Sequence, residues 1–523
     1  MKTIYYAIQN IIRGKDSTIV KVVSLSLGLF LSIVLFARVA MELSYDTFYQ
    51  GHKQLHFVQT LWDFGKGGNP GIENNLYPTG PTIMQHFPEQ VESATVINSW
   101  WPIELKHGER IYNGKDFLAA DSLFFQTMGI PLLEGNAKDL GMRNVIFMSQ
   151  SFAREVFGNE NPMGKTLLWN NKNQAIVKGI YADIPENNTF RGKAVLSMAS
   201  LDIRKDWFSG GSCSSVVRLK EGADMNFINE RINPILANYI PMEEHYTKLA
   251  QAKGIKVSLT PMDGYHLSFS KVRTMLYILS LLGFVLLISA AFNYALISIS
   301  SLAHRAKAIG VHKCSGAENG SIFAMFFWET SFVVFISVVI SVFLILNLNE
   351  QIEEVMEVST KSLFSWNNLW APLLAIVILF VIGCILPGRL FSSIPVTQVF
   401  RRYTEGKKRW KYPLLCMQFG GTAFLLGIVA MVSVQYHYVM HKDMGYDTKG
   451  LVYINHSFSN PQNALTNLRN LPFVEGAENA STQIMNPMQS LSVKAKRYIT
   501  QYSTALRLLS FTQRLTGFAG SML

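Results

Sequence analysis

Two histidine pairs, His52 with His56 and His437 with His441, stand four residues apart, the spacing that places two metal ligands on one helix face. Neither pair brings an obvious third ligand, so the pattern does not specify a metal centre. Residues 158–166, Gly-Asn-Glu-Asn-Pro-Met-Gly-Lys-Thr, imitate a phosphate-cradling loop. That motif requires glycine where this chain has Asn159, and Pro162 removes an amide donor from the cradle. There is no G-x-S-x-G elbow and no convincing triad, so the residues name no nucleophile and imply no cofactor. Two polar residues lie deep in apolar runs, Asn293 and Glu329. A carboxyl in lipid is costly unless it is partnered. An interhelical hydrogen bond between Asn293 and Glu329 is the expected partnership, serving either coupling or simply the cohesion of the helices. Between those runs lies a basic loop in which Arg305, Lys307 and Lys313 are displayed and Ile309 and Val311 offer an apolar contact. With Gly310 and His312 it forms a handle that another protein can push.

Membrane helices must position these residues. The chain has 523 residues, 49% hydrophobic and 16% charged, and its apolar residues are gathered in runs. Five runs reach the roughly 20 residues needed to cross a bilayer core of about 30 Å: 19–41, 274–298, 321–346, 370–391 and 413–436. The uncharged stretch 274–303 would reach about 45 Å as a helix and project beyond the lipid. Lys2, Arg13, Lys15 and Lys21 precede the first run, and Arg401, Arg402, Lys407, Lys408, Arg409 and Lys411 follow the fourth. Glu350, Glu353, Glu354 and Glu357 lie between the third and fourth, against Lys361 alone. The positive-inside rule then puts the N-terminus in the cytoplasm and the long insertion 42–272 outside. The net charge of +11 is largely a topology signal, and its placement at membrane ends argues against nucleic acid. The first run has no small-x-small cleavage site and reads as a retained anchor. Before it, Ile4, Ile8, Ile11 and Ile12 recur at helical spacing, fitting a helix in the headgroup plane. Ser24, Gly28 and Ser32 give the first span a small-residue face that suits either a second copy or the chain's own second span. Of four cysteines only Cys213 falls outside, so no disulfide forms there within the chain.

Strand-like runs recur through the insertion at 55–62, 93–98, 144–148, 175–181, 215–219 and 255–259. Helical stretches at 149–157 and 224–239 are interleaved, which predicts an α+β domain.

The loop sequence Arg305-Ala306-Lys307-Ala308-Ile309-Gly310-Val311-His312-Lys313-Cys314-Ser315-Gly316-Ala317 resembles the segment of FtsX-like permease domains that meets the partner ATPase. The family usually reads R-x-K-E-I-G-V-R-K-x-x-G-A; Ala308 and His312 depart from it. The insertion resembles the periplasmic core domain of MacB-like permeases. It carries the strand 144–148, Phe157-Gly158, Pro162, Gly164-Lys165 and Gly179-Ile180-Tyr181-Ala182-Asp183-Ile184-Pro185, with Phe125-Gln126-Thr127-Met128-Gly129 and Leu133-Glu134-Gly135 upstream. Together the two motif sets cover residues 1–400.

The resemblance implies a non-catalytic permease subunit of a mechanotransmission-type ABC transporter in a bacterial inner membrane. ATP hydrolysis falls to a separate cytoplasmic ATPase. Two permeases form a dimer, an adaptor or outer-membrane partner can join them, and the bilayer is the solvent. The product is export of a substrate or its extraction from the outer leaflet. In the alternative reading, an FtsX-like regulator, the same movement activates a cell-wall hydrolase outside. A membrane-anchored enzyme is disfavoured by the lack of catalytic residues, and the sequence does not name a substrate. The expected order is a cytoplasmic amphipathic helix (1–18), first span (19–41), MacB-like core domain (42–272), FtsX-like domain with spans two to four (273–400), basic linker (401–412), fifth span (413–436) and the start of a second outer domain (437–523). Gly445-Tyr446-Asp447 after span five echoes Ser44-Tyr45-Asp46 after span one. After Glu478 only basic charges follow, which reads as a truncation or frame break near residue 490.

Overall fold

The computed structural model describes residues 15–63, 75–99, 103–113, 116–170, 173–203, 205–207, 213–239, 254–300, 310–311, 313–392, 411–442, 461–472, 474 and 477. Its helices are α1 (Lys15–Leu43), α2 (Thr79–His86), α3 (Phe124–Met128), α4 (Gln150–Phe157), α5 (Met225–Leu236), α6 (Met262–Ser268), α7 (Ser270–Ser300), α8 (Asn319–Asn347), α9 (Asn349–Met356), α10 (Thr360–Leu363), α11 (Trp370–Ser392), α12 (Lys411–His441) and α13 (Pro461–Arg469). Among the described residues, five stretches are long and apolar enough to cross a membrane: Thr18–Leu43, Ser270–Ser300, Asn319–Asn347, Trp366–Arg389 and Gln418–His441. They are apolar on every side, as a helix must be when lipid replaces water around it. Helix α1 lies at the centre of the bundle and packs against α7, α8 and α11, while α12 touches α7 and is otherwise exposed. Residues 448–523 form a separate unit, in which α13 is described.

Among the described residues the strands are β1 (Leu55–Asp63), β2 (Val91–Asn98), β3 (Glu104–His107), β4 (Arg110–Asn113), β5 (Phe117–Ala120), β6 (Leu132–Gly135), β7 (Val145–Ser149), β8 (Thr166–Trp169), β9 (Asn173–Tyr181), β10 (Ala194–Ser197), β11 (Ser214–Leu219) and β12 (Gly254–Pro261). They make one sheet in the order β12-β1-β11-β2-β5-β10-β7-β9-β8-β3-β4, with β6 on β9. The pairs β5–β10 and β7–β9 are parallel. Strands β5, β7, β10 and β11 are buried along their whole length, so apart from Arg218 in β11 they read as continuous apolar or small-residue runs rather than alternations. One core around Ile146, Phe152 and Leu196 and another around Phe57, Phe147 and Tyr181 involve alternate residues of the same strands.

The edge strand β12 is closed by side chains. Asn229 and Asn233, one turn apart on α5, each form a reciprocal pair of hydrogen bonds with its backbone. Asn229 donates to Leu259 O at 3.2 Å and accepts from Leu259 N at 2.7 Å. Asn233 does the same at Val257, at 3.0 and 2.7 Å. The helix thus supplies the hydrogen bonds of a missing neighbour strand, which blunts an edge otherwise open to pairing. Changing both asparagines to leucine should destabilise the sheet by about 1–3 kcal/mol for each backbone group left unpaired, and promote self-association. Thermal unfolding and light scattering of the full chain measure the two effects.

Candidate functional site

The buried polar groups gather at two levels of α1. At the first, Lys21 lies inside the bundle, 1% exposed, with its Nζ 3.4 Å from Glu329 Oε1 on α8. The same ammonium stands 5.6 Å from the centre of the Tyr294 ring, whose hydroxyl donates to Thr330 Oγ1 at 3.0 Å. The expected bond between Asn293 and Glu329 is not formed. Asn293 Nδ2 donates to Ser24 Oγ on α1, and Lys21 takes the carboxylate. A carboxylate in so dry a place needs a cation to offset its desolvation, which an amide cannot provide. Lys21, which by charge belongs with the basic tail, lies within the apolar run that begins at residue 19.

The small-residue face of α1 packs on α7 of the same chain. A Cβ at Gly28 would sit 2.5 Å from Ala290 Cβ, and Ser32 Oγ donates to Gly283 O at 3.3 Å. In this structure Ser24, Gly28 and Ser32 all face α7 of the same chain. A second polar stripe, Ser337 and Ser341 on α8, faces α1: Ser341 Oγ donates to Ser26 O at 3.0 Å and Ser337 Oγ to Val22 O at 3.4 Å. Hydroxyls that bond backbone carbonyls let helices approach closely without leaving a polar group bare.

The second level is the joint between the bundle and the sheet. Glu42, buried in the last turn of α1, binds Arg38 at 2.6 Å and His266 of α6 at 2.5 Å. The His266 ring stacks on Tyr45 at 3.6 Å. Burial raises the Tyr45 phenol above its ordinary value, partly offset by Arg191, whose Nη2 lies 3.4 Å from the phenolic oxygen. Asp46 accepts from Thr189 N at 2.7 Å and Thr189 Oγ1 at 2.6 Å. It does so from a left-handed backbone, φ 60°, that Asp tolerates better than most residues. Ser44 receives Asn187 Nδ2 at 3.0 Å and donates to Asn368 Oδ1 at 2.8 Å, while Glu186 accepts from Ser359 N at 3.0 Å. The loop after β9 is thereby tied to the end of α1 and to the segment between α8 and α11. Its signal in the sequence is the Tyr45-Asp46 pair, which recurs at Tyr446-Asp447; the latter two lie outside the described residues.

At the opposite end of the bundle, Gly310 is buried and Val311 is 58% exposed. Lys313 is not free for a partner: its Nζ donates to Ser392 O at the end of α11 at 2.8 Å, the place where a cation complements unpaired helix carbonyls. Arg305, Lys307, Ile309 and His312 lie outside the described residues, as does the amphipathic stretch before residue 15.

The other motifs dissolve locally. His52 belongs to a short 3-10 turn and His56 to β1, so they share no helix face. The rings of His437 and His441 are 4.0 Å apart on α12. Among the described residues no group of three or more His, Cys, Asp or Glu side chains is placed to hold a metal ion. In the phosphate-loop imitation, Gly158 and Gly164 adopt positive φ and Lys165 pairs with Glu160.

Residues 280–396 match the FtsX-like permease C-terminal domain. MacB of Aggregatibacter actinomycetemcomitans, a macrolide export ATP-binding/permease protein, is 23% identical over 265 residues, which cover 49% of this chain and 39% of that relative. Among solved structures, a domain of a protein assigned as a permease from Porphyromonas gingivalis is 20% identical, with a TM-score of 0.35 over 41% of this chain and 92% of its own. The periplasmic region of MacB from Actinobacillus actinomycetemcomitans is 17% identical, with a TM-score of 0.30 and the same two coverages. The chain thus carries an FtsX-like permease domain at residues 280–396 and is similar over about half its length to a MacB protein, of which it spans 39%; among the described residues five helices are of membrane length, and a large α+β domain lies between the first two.

Proposed function

We propose that this permease is the force-transmitting subunit of an ABC transporter, coupling ATP hydrolysis by a separate cytoplasmic ATPase to movement of its sheet domain outside the membrane. One observation carries the reading: both long helices enter the sheet through a single ladder. Helix α1 leads into β1, and β12 leads through α6 into α7. Strands β1 and β12 pair antiparallel from His56↔Pro261 to Asp63↔Gly254. At 29 and 31 residues, the two helices are about 44 and 47 Å long, well beyond a core of about 30 Å. A shift at the hairpin end therefore reaches the ladder along two stiff rods, and the bonds of Ser44 and Asp46 pass it to the loop after β9. Macrolide export is what the MacB relative's name states of that protein. For this chain the proposed outcome is export or extraction of a substrate, with a permease dimer as the working unit.

The test pairs a pull-down with a distance measurement. The ATPase should co-purify with the full chain and be lost with Gly310→Pro. ATP should change the distance between spin labels on the sheet and the bundle, and Asp46→Ala should shrink that change while leaving the pull-down intact. Undiminished recovery with Gly310→Pro, together with a distance that ignores ATP, sinks the reading. Recovery of a cell-wall hydrolase instead of an exported solute would move it to the regulatory branch.

A further inference from the structure

A cavity of about 520 Å³ opens where the sheet meets the bundle, between the 3-10 turn His52–Gln54 and the turn that leaves β11. Its position follows from the register. Leu55 pairs with Arg218 and His56 with Pro261, at the end of the ladder to which both long helices attach, and α6 packs against the 3-10 turn.

The charge of this cavity is one-sided. Lys53, Lys220 and His52 line it, and Glu221 is the single acid of the lining. Beneath it lies Arg218, 7% exposed, next in sequence to the lining residue Leu219. Its guanidinium donates to three oxygens, all neutral: Thr127 O at 2.8 Å, Gln54 Oε1 at 3.1 Å and Gln50 O at 2.8 Å. Its hydrogen bonds go only to dipoles, the Glu92 carboxylate offsets part of its charge from farther away, and low-dielectric walls focus the remaining field into the opening. The contact also fixes Gln54. With Oε1 committed to Arg218, the amide of this lining residue is left with its two N–H donors to offer.

We propose that this cavity is an anion site that takes a phosphate group. A buried guanidinium supplies the standing field, the two exposed ammonium groups of Lys53 and Lys220 supply charge-assisted hydrogen bonds, and the Gln54 amide supplies a neutral donor. The phosphate comes either from a phospholipid headgroup in the leaflet beside the sheet or from a soluble phosphate. The site stands independently of any ATPase, so its test leaves the force-transmission reading untouched.

The experiment is calorimetric titration of the detergent-solubilised full chain, in chloride buffer, with dihexanoyl phosphatidylglycerol and separately with inorganic phosphate. Wild type should bind at least one of them saturably, and more weakly as salt rises. Lys53→Gln/Lys220→Gln should weaken binding by about tenfold or more, and Glu221→Gln should tighten it. All three side chains are exposed, so these variants should melt like wild type. Binding of the phosphatidylglycerol alone identifies a headgroup site, whereas binding of inorganic phosphate identifies a site for the phosphate itself. Failure of wild type to bind either probe, or equal binding by the double lysine variant, overturns the proposal.

Discussion

Lys21→Met should lower the stability of the helix bundle by about 3–5 kcal/mol, the cost of leaving a buried carboxylate without its cation. The reason is the geometry around Glu329, which is 4% exposed and ion-paired to Lys21 at 3.4 Å. Removing both charges removes the penalty, so Lys21→Met/Glu329→Leu should recover most of the loss. Asn293→Ala, by contrast, should cost only about 0.6 kcal/mol, because it removes a neutral interhelical bond to Ser24 and strands no charge. Denaturant unfolding of the four proteins in one detergent decides between the partners. A large loss at Asn293 with a small one at Lys21 would restore the pairing expected from sequence. The pair also bears on function. It joins α1 to α8, so the double variant should be stable yet transmit less ATP-driven movement to the sheet.

Gly28→Leu should push α1 away from α7, because even one carbon at that position meets Ala290 Cβ at 2.5 Å. Overpacking of this kind costs about 1–3 kcal/mol. Here it should also abolish ATP-driven movement of the sheet domain, since the two helices that carry it would no longer move as one. A compensating change separates intrachain contact from assembly: Gly28→Ala should be impaired, and Gly28→Ala/Ala290→Gly should regain activity by exchanging the two methyl positions. Should Gly28→Ala lower only the dimer fraction, with unfolding unchanged, the glycine would instead face a second copy.

The hydrophobic runs determined the spans, because lipid tolerates only segments that satisfy their own backbone groups. All five runs correspond to helices of membrane length, and the six longer strand-like runs correspond to β1, β2, β7, β9, β11 and β12. Strands such as Phe117–Ala120 and Ala194–Ser197 escaped notice because four residues buried on both faces show no alternation. Asn229 and Asn233 looked like ordinary polar residues of a helix face; their role at the edge depends on a strand that arrives 24 to 30 residues later.

Partner choice was decided by the tertiary structure alone. Sequence marked Asn293 and Glu329 as costly in lipid, yet which group relieves each depends on the rotation of three helices about one another. The same rotation turns Ser24, Gly28 and Ser32 toward α7, and folding of the hairpin spends Lys313 on the end of α11. Composition and spacing fix what an element must be, because backbone and solvent act locally. Which side chains meet is set by packing, in which every contact depends on where all the other elements lie.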